Sequence, residues 1–482
     1  MLDVQCSMFK VRAAHANSPR SKMPEQSEKP EQLRILFDVG ILGDAFQDNL
    51  AKTGIARVAE SLLQALAHRA DVMLFPVTFS GNDYACQRFL EREADLQTLD
   101  LRFLCEPGWC RPLITLFSQL EFSCRKAQFS ANHATKGFLC KTLKNLFKTL
   151  KQSLARVDRR KRDLSKTDTW HYISIAGCPS NKLLKIDNVK VGVFIHDTIP
   201  LTHKQFCKEK ETAPWYLDLI RAAQAVEYVF CNSQNTRDDL LRAESGINPT
   251  RVHIIPMAAK SHFRPPLKPI DADYLARRYG IPRNSPFALS VCTLEPRKNL
   301  ATLVQAYQLH LEDNPDSDLD LVLAGATGWK VDQFMQQLNA KSASNARIHL
   351  TGFIDEDDLP GLYSLAEFFV YPSFYEGFGL PVIEAMQCGL PVICSNTSSL
   401  PEAGGSAAFY ISPTDAAALA SALTSMHGQP ELRRRHVEKS KAQAAKFSWT
   451  TSASELVQAL RSGPEPQLTE ETRALRGSGI PK

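Results

Sequence analysis

The sequence predicts an α/β protein made of two doubly wound parallel-sheet halves. Three observations carry this: a length of 482 residues, a repeated alternation of short β-branched or aromatic runs with helical patterns, and a proline-rich break past the middle. A single hydrophobic core stops growing at roughly 250–300 residues, so a chain of this length divides. Strands alternating with helices read as βαβ units, which build parallel sheets. The 44% hydrophobic share is that of an ordinary globular protein, and a net charge of +5 points to no nucleic-acid partner.

Residues 1–32 and 463–482 are rich in Pro, Glu, Gln, Ser and Lys without an apolar period, and both read as disordered tails. The first half spans 33–265. There "RILFDVG" reads as a buried strand, and "GIARVAESLLQALAHR" as a helix with Ile55, Val58, Leu62, Leu63 and Leu66 on one face. "DVMLFPVTF", "VKVGVFIHD", "YVFCNS" and "VHIIPM" follow as strands. Residues 136–166 form a basic insertion, with Lys and Arg from Lys136 to Lys166 against only Asp158 and Asp163. Leu139, Leu143, Phe147, Leu150 and Leu154 recur at helical spacing, which predicts a basic amphipathic helix. Such a helix either lies on an anionic membrane surface or packs on its own domain with a solvated charged face.

The polar, proline-rich stretch over 266–284 reads as a linker. The second half, 285–447, repeats the alternation with "FALSVCTLE", "LDLVLAG", "IHLTGF", "EFFVYPS", "PVICSN" and "AAFYISP" as strands. "SWTTSASELVQAL" predicts a last helix over 448–462. In doubly wound sheets ligands bind beyond the carboxyl ends of strands, so chemistry belongs in the loops after them.

Twelve cysteines form no C-x-x-C pair and no metal-ligand spacing with histidine, which fits a reducing compartment. "MLDVQCSMFKVRAAHA" lacks an apolar segment long enough for a signal peptide, and no run approaches the ~18 apolar residues of a membrane span. A cytoplasmic protein, or one peripheral at the inner face of the membrane, is expected.

The most informative segment is "YPSFYEGFGLPVIEAMQCGLPVICSN", residues 371–396. A strand ends at Tyr371, Gly377 and Gly379 permit close backbone approach, and Pro381 suits the first turn of a helix. Free N–H groups at that helix start suit a phosphate. Glu376 lies in the loop and Glu384 about one turn into the helix, where carboxylates would accept hydrogen bonds from sugar hydroxyls. In "SVCTLEPRKNL" a strand end precedes Arg297 and Lys298, cations suited to a diphosphate.

The run E-G-F-G-L-P-x-x-E-A-M, with its E-x7-E spacing, closely resembles the retaining glycosyltransferases of the GT4 family over about residues 285–450, and more weakly in the first half. The resemblance implies a GT-B fold, two Rossmann-like domains facing a cleft, with the last helix crossing back to the first. It implies that Glu376 faces the donor sugar, that Glu384 binds the ribose, and that backbone near Phe378, Gly379 and Leu380 approaches the sugar and diphosphate. The loop of Arg297 and Lys298 resembles the family's G-T-x-E-P-R-K-N, with Cys292 in place of the glycine; a positive φ there would strain a cysteine. Loops at Gly325 and Gly328, and at Gly352, Phe353 and Ile354, line the nucleotide pocket in the relatives. Glu402 in "LPEAGGSAAFYISP" reads as structural. Gly54, accompanied by Arg57, resembles the N-terminal glycine loop across the cleft. "VFIHDTIPL" resembles an H-D-x-I-P-L segment of mannosyl- and rhamnosyltransferase-like members, which places His196 near the reacting centre, followed by Asp197.

The resemblance thus implies hexosyl transfer with retention, no cofactor beyond the nucleotide-diphosphate sugar as substrate, and no metal. It favours GDP-mannose or a deoxyhexose donor and a glycan or lipid-linked acceptor in bacterial surface polysaccharide synthesis. D-x-D pairs at Asp271/Asp273, Asp316/Asp318, Asp318/Asp320 and Asp355/Asp357 read as surface acids, and no P-loop or G-x-G-x-x-G occurs. A sugar-nucleotide epimerase or hydrolase on the same fold and a non-catalytic membrane-associated scaffold are the alternatives.

Overall fold

The apolar runs become buried strands, and the strands assemble into two six-stranded parallel sheets in the computed structural model. The structure describes residues 32–463 apart from 48–53, 79–82, 100–104, 108–115, 122, 125–140, 148, 151–158, 162–167, 180–185, 187, 208–212, 245, 268, 284 and 340–344. The two tails expected as disordered lie outside the described residues except at Gln32 and Gly463.

The first sheet contains β1 (Leu33–Asp38) and β2 (Val72–Val77). A separate antiparallel ribbon pairs β3 (Cys105–Pro107) with β4 (Arg159–Lys161). The first sheet then continues with β5 (Trp170–Ser174), β6 (Val189–Ile195), β7 (Tyr228–Cys231) and β8 (Val252–Ile254), in the order β2-β1-β5-β6-β7-β8. The second comprises β9 (Phe287–Val291), β10 (Asp320–Ala324), β11 (Ile348–Gly352), β12 (Phe368–Tyr371), β13 (Val392–Ser395) and β14 (Phe409–Ile411). Its order is β11-β10-β9-β12-β13-β14. The winding reverses between β1 and β5 in one sheet and between β9 and β12 in the other. A crevice opens at such reversals, beyond the strand ends.

The helix Gly54–Ala67 buries Val58, Leu62, Leu63 and Leu66 against the first sheet, with Ile55 partly buried beside them. Helix Trp449–Ser462, capped by Ser448, leaves the second half and packs on helix Gly54–Ala67. Ser452 donates to the Pro256 carbonyl at 2.5 Å, and Tyr228 to the Leu460 carbonyl at 3.1 Å. The largest core cluster therefore runs from Ile35 in β1 to Leu460 and includes residues of both halves.

Two expectations are corrected. The stretch expected as a linker, 266–284, carries the helix Ala272–Tyr279, started by the Asp271 side chain on the Tyr274 N–H and ended by left-handed Gly280 at φ 68°. The basic helix expected over 136–166 is helical at 141–147 and 149–150, but Arg159–Lys161 belong to β4. Phe147 stacks on Phe117 at 6.1 Å while Leu150 is exposed; Leu139 and Leu154 lie outside the described residues. Among the described residues no helix is long and apolar enough to cross a membrane.

Candidate active site

The loops after β9 and β12 meet at the second sheet's winding reversal. The loop after β9 turns through a short 3-10 helix, Pro296–Lys298, and through Asn299 at φ 58°. The Asn299 amide donates to the Pro372 and Pro413 carbonyls at 2.9 and 2.6 Å, which ties this loop to the end of β12. Cys292 is not among the residues with positive φ, so cysteine fits its position without backbone strain. Gly325, at φ 141°, is the constrained partner: a Cβ there would lie 1.8 Å from the Cys292 carbonyl oxygen.

Glu376 is buried and held by two cations. Lys298 Nζ lies 2.7 Å from one carboxylate oxygen and Arg297 2.8 Å from the other. Burial pushes the Glu376 pKa up, but Arg297 and then Lys298 outweigh it and hold it at about 2. Lys298 also donates to the Tyr371 hydroxyl at 2.7 Å. Arg297 reaches Glu295 at 2.6 Å and the Tyr375 carbonyl at 2.7 Å. Arg297, expected as a diphosphate ligand, is thus also the strut that sets the loop carrying Glu376. Each cation keeps donors beyond these bonds: an ammonium has three and a guanidinium five.

Gly379, at φ 98°, starts the helix Leu380–Gln387 without a side-chain cap. The backbone N–H groups of Gly379 and Leu380 have no hydrogen-bond partner among the described residues, which suits an anion. The Phe378 side chain is buried and packs edge-on against Phe447 at 5.5 Å. One turn into the helix, buried Glu384 accepts from Arg57 at 3.0 Å and from the Tyr363 hydroxyl at 3.1 Å. Burial raises its pKa above the ordinary carboxylate value in spite of Arg57.

Across the cleft, β6 delivers His196 and Asp197. Burial lowers the His196 pKa, and Nε2 lies 2.7 Å from the Ile175 carbonyl, which can only accept. The ring is therefore neutral with its proton on Nε2, leaving Nδ1 as an acceptor. Asp197 closes a turn: its Oδ1 accepts the Ile199 N–H at 3.0 Å. Its carbonyl accepts the Tyr216 hydroxyl at 2.6 Å.

Gly377 presses on this strand end, because a Cβ there would lie 2.0 Å from the His196 carbonyl oxygen. The Gly377 carbonyl accepts from Ser233 at 2.7 Å and Thr236 at 3.1 Å. Sequence reasoning read Gly377 as room for a ligand; it is room for the other half of the protein.

Other predicted residues stand further out. Gly54 starts its helix exposed, with nothing within 4 Å of a Cβ built there, and Arg57 makes the cross-cleft contact instead. Phe353 is 50% exposed just past the end of edge strand β11, and Ile354 beside it is buried. Glu402 accepts the Gln234 and Asn235 N–H groups at 2.7 and 2.8 Å, capping the helix Gln234–Ala243 across the cleft. Asp271 caps a helix, Asp320 binds Arg347 and His349, and Asp355 binds Arg278, so these D-x-D members are already committed.

The sequence reasoning missed Tyr375 and its partners. Its hydroxyl donates to Asp239 at 2.7 Å, meets Thr198 at 2.9 Å and accepts from Asn235 at 3.1 Å, all from the first half. The available signal was weak: a Ser-x-x-Thr start in "CNSQNT" after a strand marks the helix end, not what approaches it.

Two Rossmann-like halves joined across such a cleft define the GT-B fold. The solved structure of the Anabaena protein Alr3699/HepE in complex with UDP and glucose shares it, with a TM-score of 0.57 and 16% identity, over 89% of this chain and all of that one. Residues 272–443 match the model of the family described as glycosyl transferases group 1. The chain is 41% identical over 175 residues to O-antigen chain mannosyltransferase B of Escherichia coli, covering 36% of this chain and 45% of that protein. It is 32% identical over 282 residues to serotype-specific mannosyltransferase WbdA of Escherichia coli, covering 55% of this chain and 33% of that protein. The match thus spans less than half the length of each of these curated relatives. Residues 272–443 are thus similar to group 1 glycosyl transferases, and the chain has the GT-B fold.

Proposed function

We propose that the protein transfers a hexose, mannose favoured, from a nucleotide-diphosphate sugar to a glycan or lipid-linked acceptor, with retention and without a metal. The observation that carries this is the buried Glu376 clamped by Arg297 and Lys298 at the winding reversal of the second sheet, with His196 opposite. The two names reporting mannosyltransferases support mannose and a polysaccharide product. In this reading Glu384 accepts the ribose hydroxyls. The spare protons of Lys298 and Arg297 and the helix N–H groups of Gly379 and Leu380 stabilise the leaving diphosphate. Glu376 then accepts from a sugar hydroxyl, and neutral His196 accepts another through Nδ1. The basic insertion near 141–150 would hold the protein at an anionic membrane surface where a lipid-linked acceptor resides.

A thermal-shift screen against GDP-mannose, GDP, UDP-glucose and dTDP-sugars tests this, since a ligand of the folded state raises its stability. GDP-mannose and GDP are expected to raise the melting temperature, followed by acceptor-dependent release of GDP. Absence of any shift across the panel would sink the reading. Sugar release without an acceptor would replace transfer by hydrolysis.

A further inference from the structure

Arg57 sits on the first turn of helix Gly54–Ala67 in the first half, yet its guanidinium crosses the cleft to Glu384 on the second. The pair is unequal: the Arg57 side chain is 28% exposed and the Glu384 side chain 4%. The carboxylate is fixed, held also by Tyr363 at 3.1 Å, while the arginine stands at the solvent edge on a long flexible stem. Two more carboxylates, Glu60 and Glu356, act on Arg57 electrostatically. Both are already bound by Lys260, at 2.6 and 3.0 Å. If Arg57 left, Glu384 would lose its ion pair and keep only the longer-range attraction of Lys260, while Glu60 and Glu356 would keep theirs.

A ribose offers two neighbouring hydroxyls, donors that can occupy the Glu384 oxygen on which Arg57 rests. The exchange leaves a buried carboxylate hydrogen-bonded and sets free a guanidinium. The first helical residue, Leu380, lies about 6 Å along the axis from Glu384, within the swing of an arginine. The N–H groups of Gly379 and Leu380, without a partner among the described residues, are at that end. A planar fork of donors suits phosphate oxygens, and Arg57 brings it from the opposite wall, together with the positive end of its own helix.

Resting on the nucleotide-sugar reading above, we propose that Arg57 is a donor-released diphosphate ligand: it pairs with Glu384 until ribose hydroxyls take that carboxylate, then turns to the diphosphate. The first half thereby closes on the donor only after the nucleoside is seated. Arg57 competes with a nucleoside and assists a nucleoside diphosphate, so its removal acts with opposite signs on the two ligands.

The test is calorimetric titration of the full chain and of Arg57→Gln with guanosine, GDP, uridine and UDP, with melting curves to show both proteins folded. For the base that binds, Arg57→Gln is expected to bind the nucleoside several-fold more tightly and the diphosphate roughly tenfold more weakly. Arg57→Lys, which keeps the cation and stays testable should the glutamine variant not fold, should show the same signs at smaller size. Nucleoside and diphosphate affinities that fall together, or do not move, would overturn the proposal and make Arg57 a fixed support for Glu384. Wild-type protein that binds neither diphosphate removes the nucleotide-sugar reading itself, and this inference with it.

Discussion

At the scale of single residues, Glu376 is decided by its neighbours. A carboxyl held at about 2 is ionised throughout the working range, so it cannot donate a proton as a general acid near neutrality and instead presents a fixed negative charge. Lys298→Met should lower turnover by about 10²–10³-fold, the loss seen when one donor to a developing charge is removed. It should cost about 1–3 kcal/mol of stability, less than a broken buried pair, because Arg297 still holds Glu376. Near-normal steady-state turnover with GDP-mannose and an acceptor would remove the phosphate role. The same pair sets an acid limit. The folded Glu376 pKa lies below its ordinary 4.5, so its contribution is complete above about pH 4.5 and disappears as pH falls toward 2. Urea unfolding at pH 5 and pH 3 should show a smaller drop in Glu376→Gln than in wild type; an equal drop would show that the carboxylate is not stabilised by its cations. The acids and cations of this cluster were legible because their motif is local. Tyr371 and Tyr375 were not, since an aromatic residue at a strand end reads the same whether or not a lysine or an aspartate from elsewhere meets it.

At the scale of elements, glycines mark where backbones cross. Gly377→Ala would place a methyl 2.0 Å from the His196 carbonyl and push the Glu376 loop away from the Ser233 and Thr236 hydroxyls. It should lower the melting temperature and turnover together. Gly428→Ala is the control: a Cβ at that helix end meets nothing within 4 Å, and the substitution should be neutral or stabilising by up to ~1 kcal/mol. If both variants melt like wild type, the crossing is looser than described. Strands β6, β7, β10, β12 and β13 were readable from the sequence because they are buried along nearly their whole length and so are continuous apolar runs, whereas β5, whose run Trp170–Ser174 is broken by His171, was missed. The helix Ala272–Tyr279 was hidden in a proline-rich stretch because it is only eight residues long and its apolar face is small, although Asp271 and Gly280 are start and stop signals. The basic insertion misled in the opposite way: the helical spacing stops at Leu154 but the basic run continues through Arg159–Lys161, which pair with β3, a partnership some fifty residues distant that no local pattern records.

At the scale of the whole molecule, the two halves are two sheets but not two independent cores. The largest apolar cluster joins β1, β7, β9, β12 and the last helix. The seam adds Glu402 on the helix Gln234–Ala243, Tyr375 on Asp239, and Arg57 on Glu384. Helix Trp449–Ser462 is an apolar tether, since it departs from the second half and buries Ala453, Leu456, Val457 and Leu460 against the first. Leu456 is fully buried, so Leu456→Ala leaves a cavity at that joint and should cost about 2–5 kcal/mol. Because the core passes through the joint, the loss should appear as one cooperative guanidinium transition with a lower midpoint and an unchanged slope, the slope reporting the surface exposed. Circular dichroism and tryptophan fluorescence should then trace the same curve. A biphasic curve, with one half melting at the wild-type midpoint, would show instead that the halves fold separately and that the last helix only rests on the first sheet.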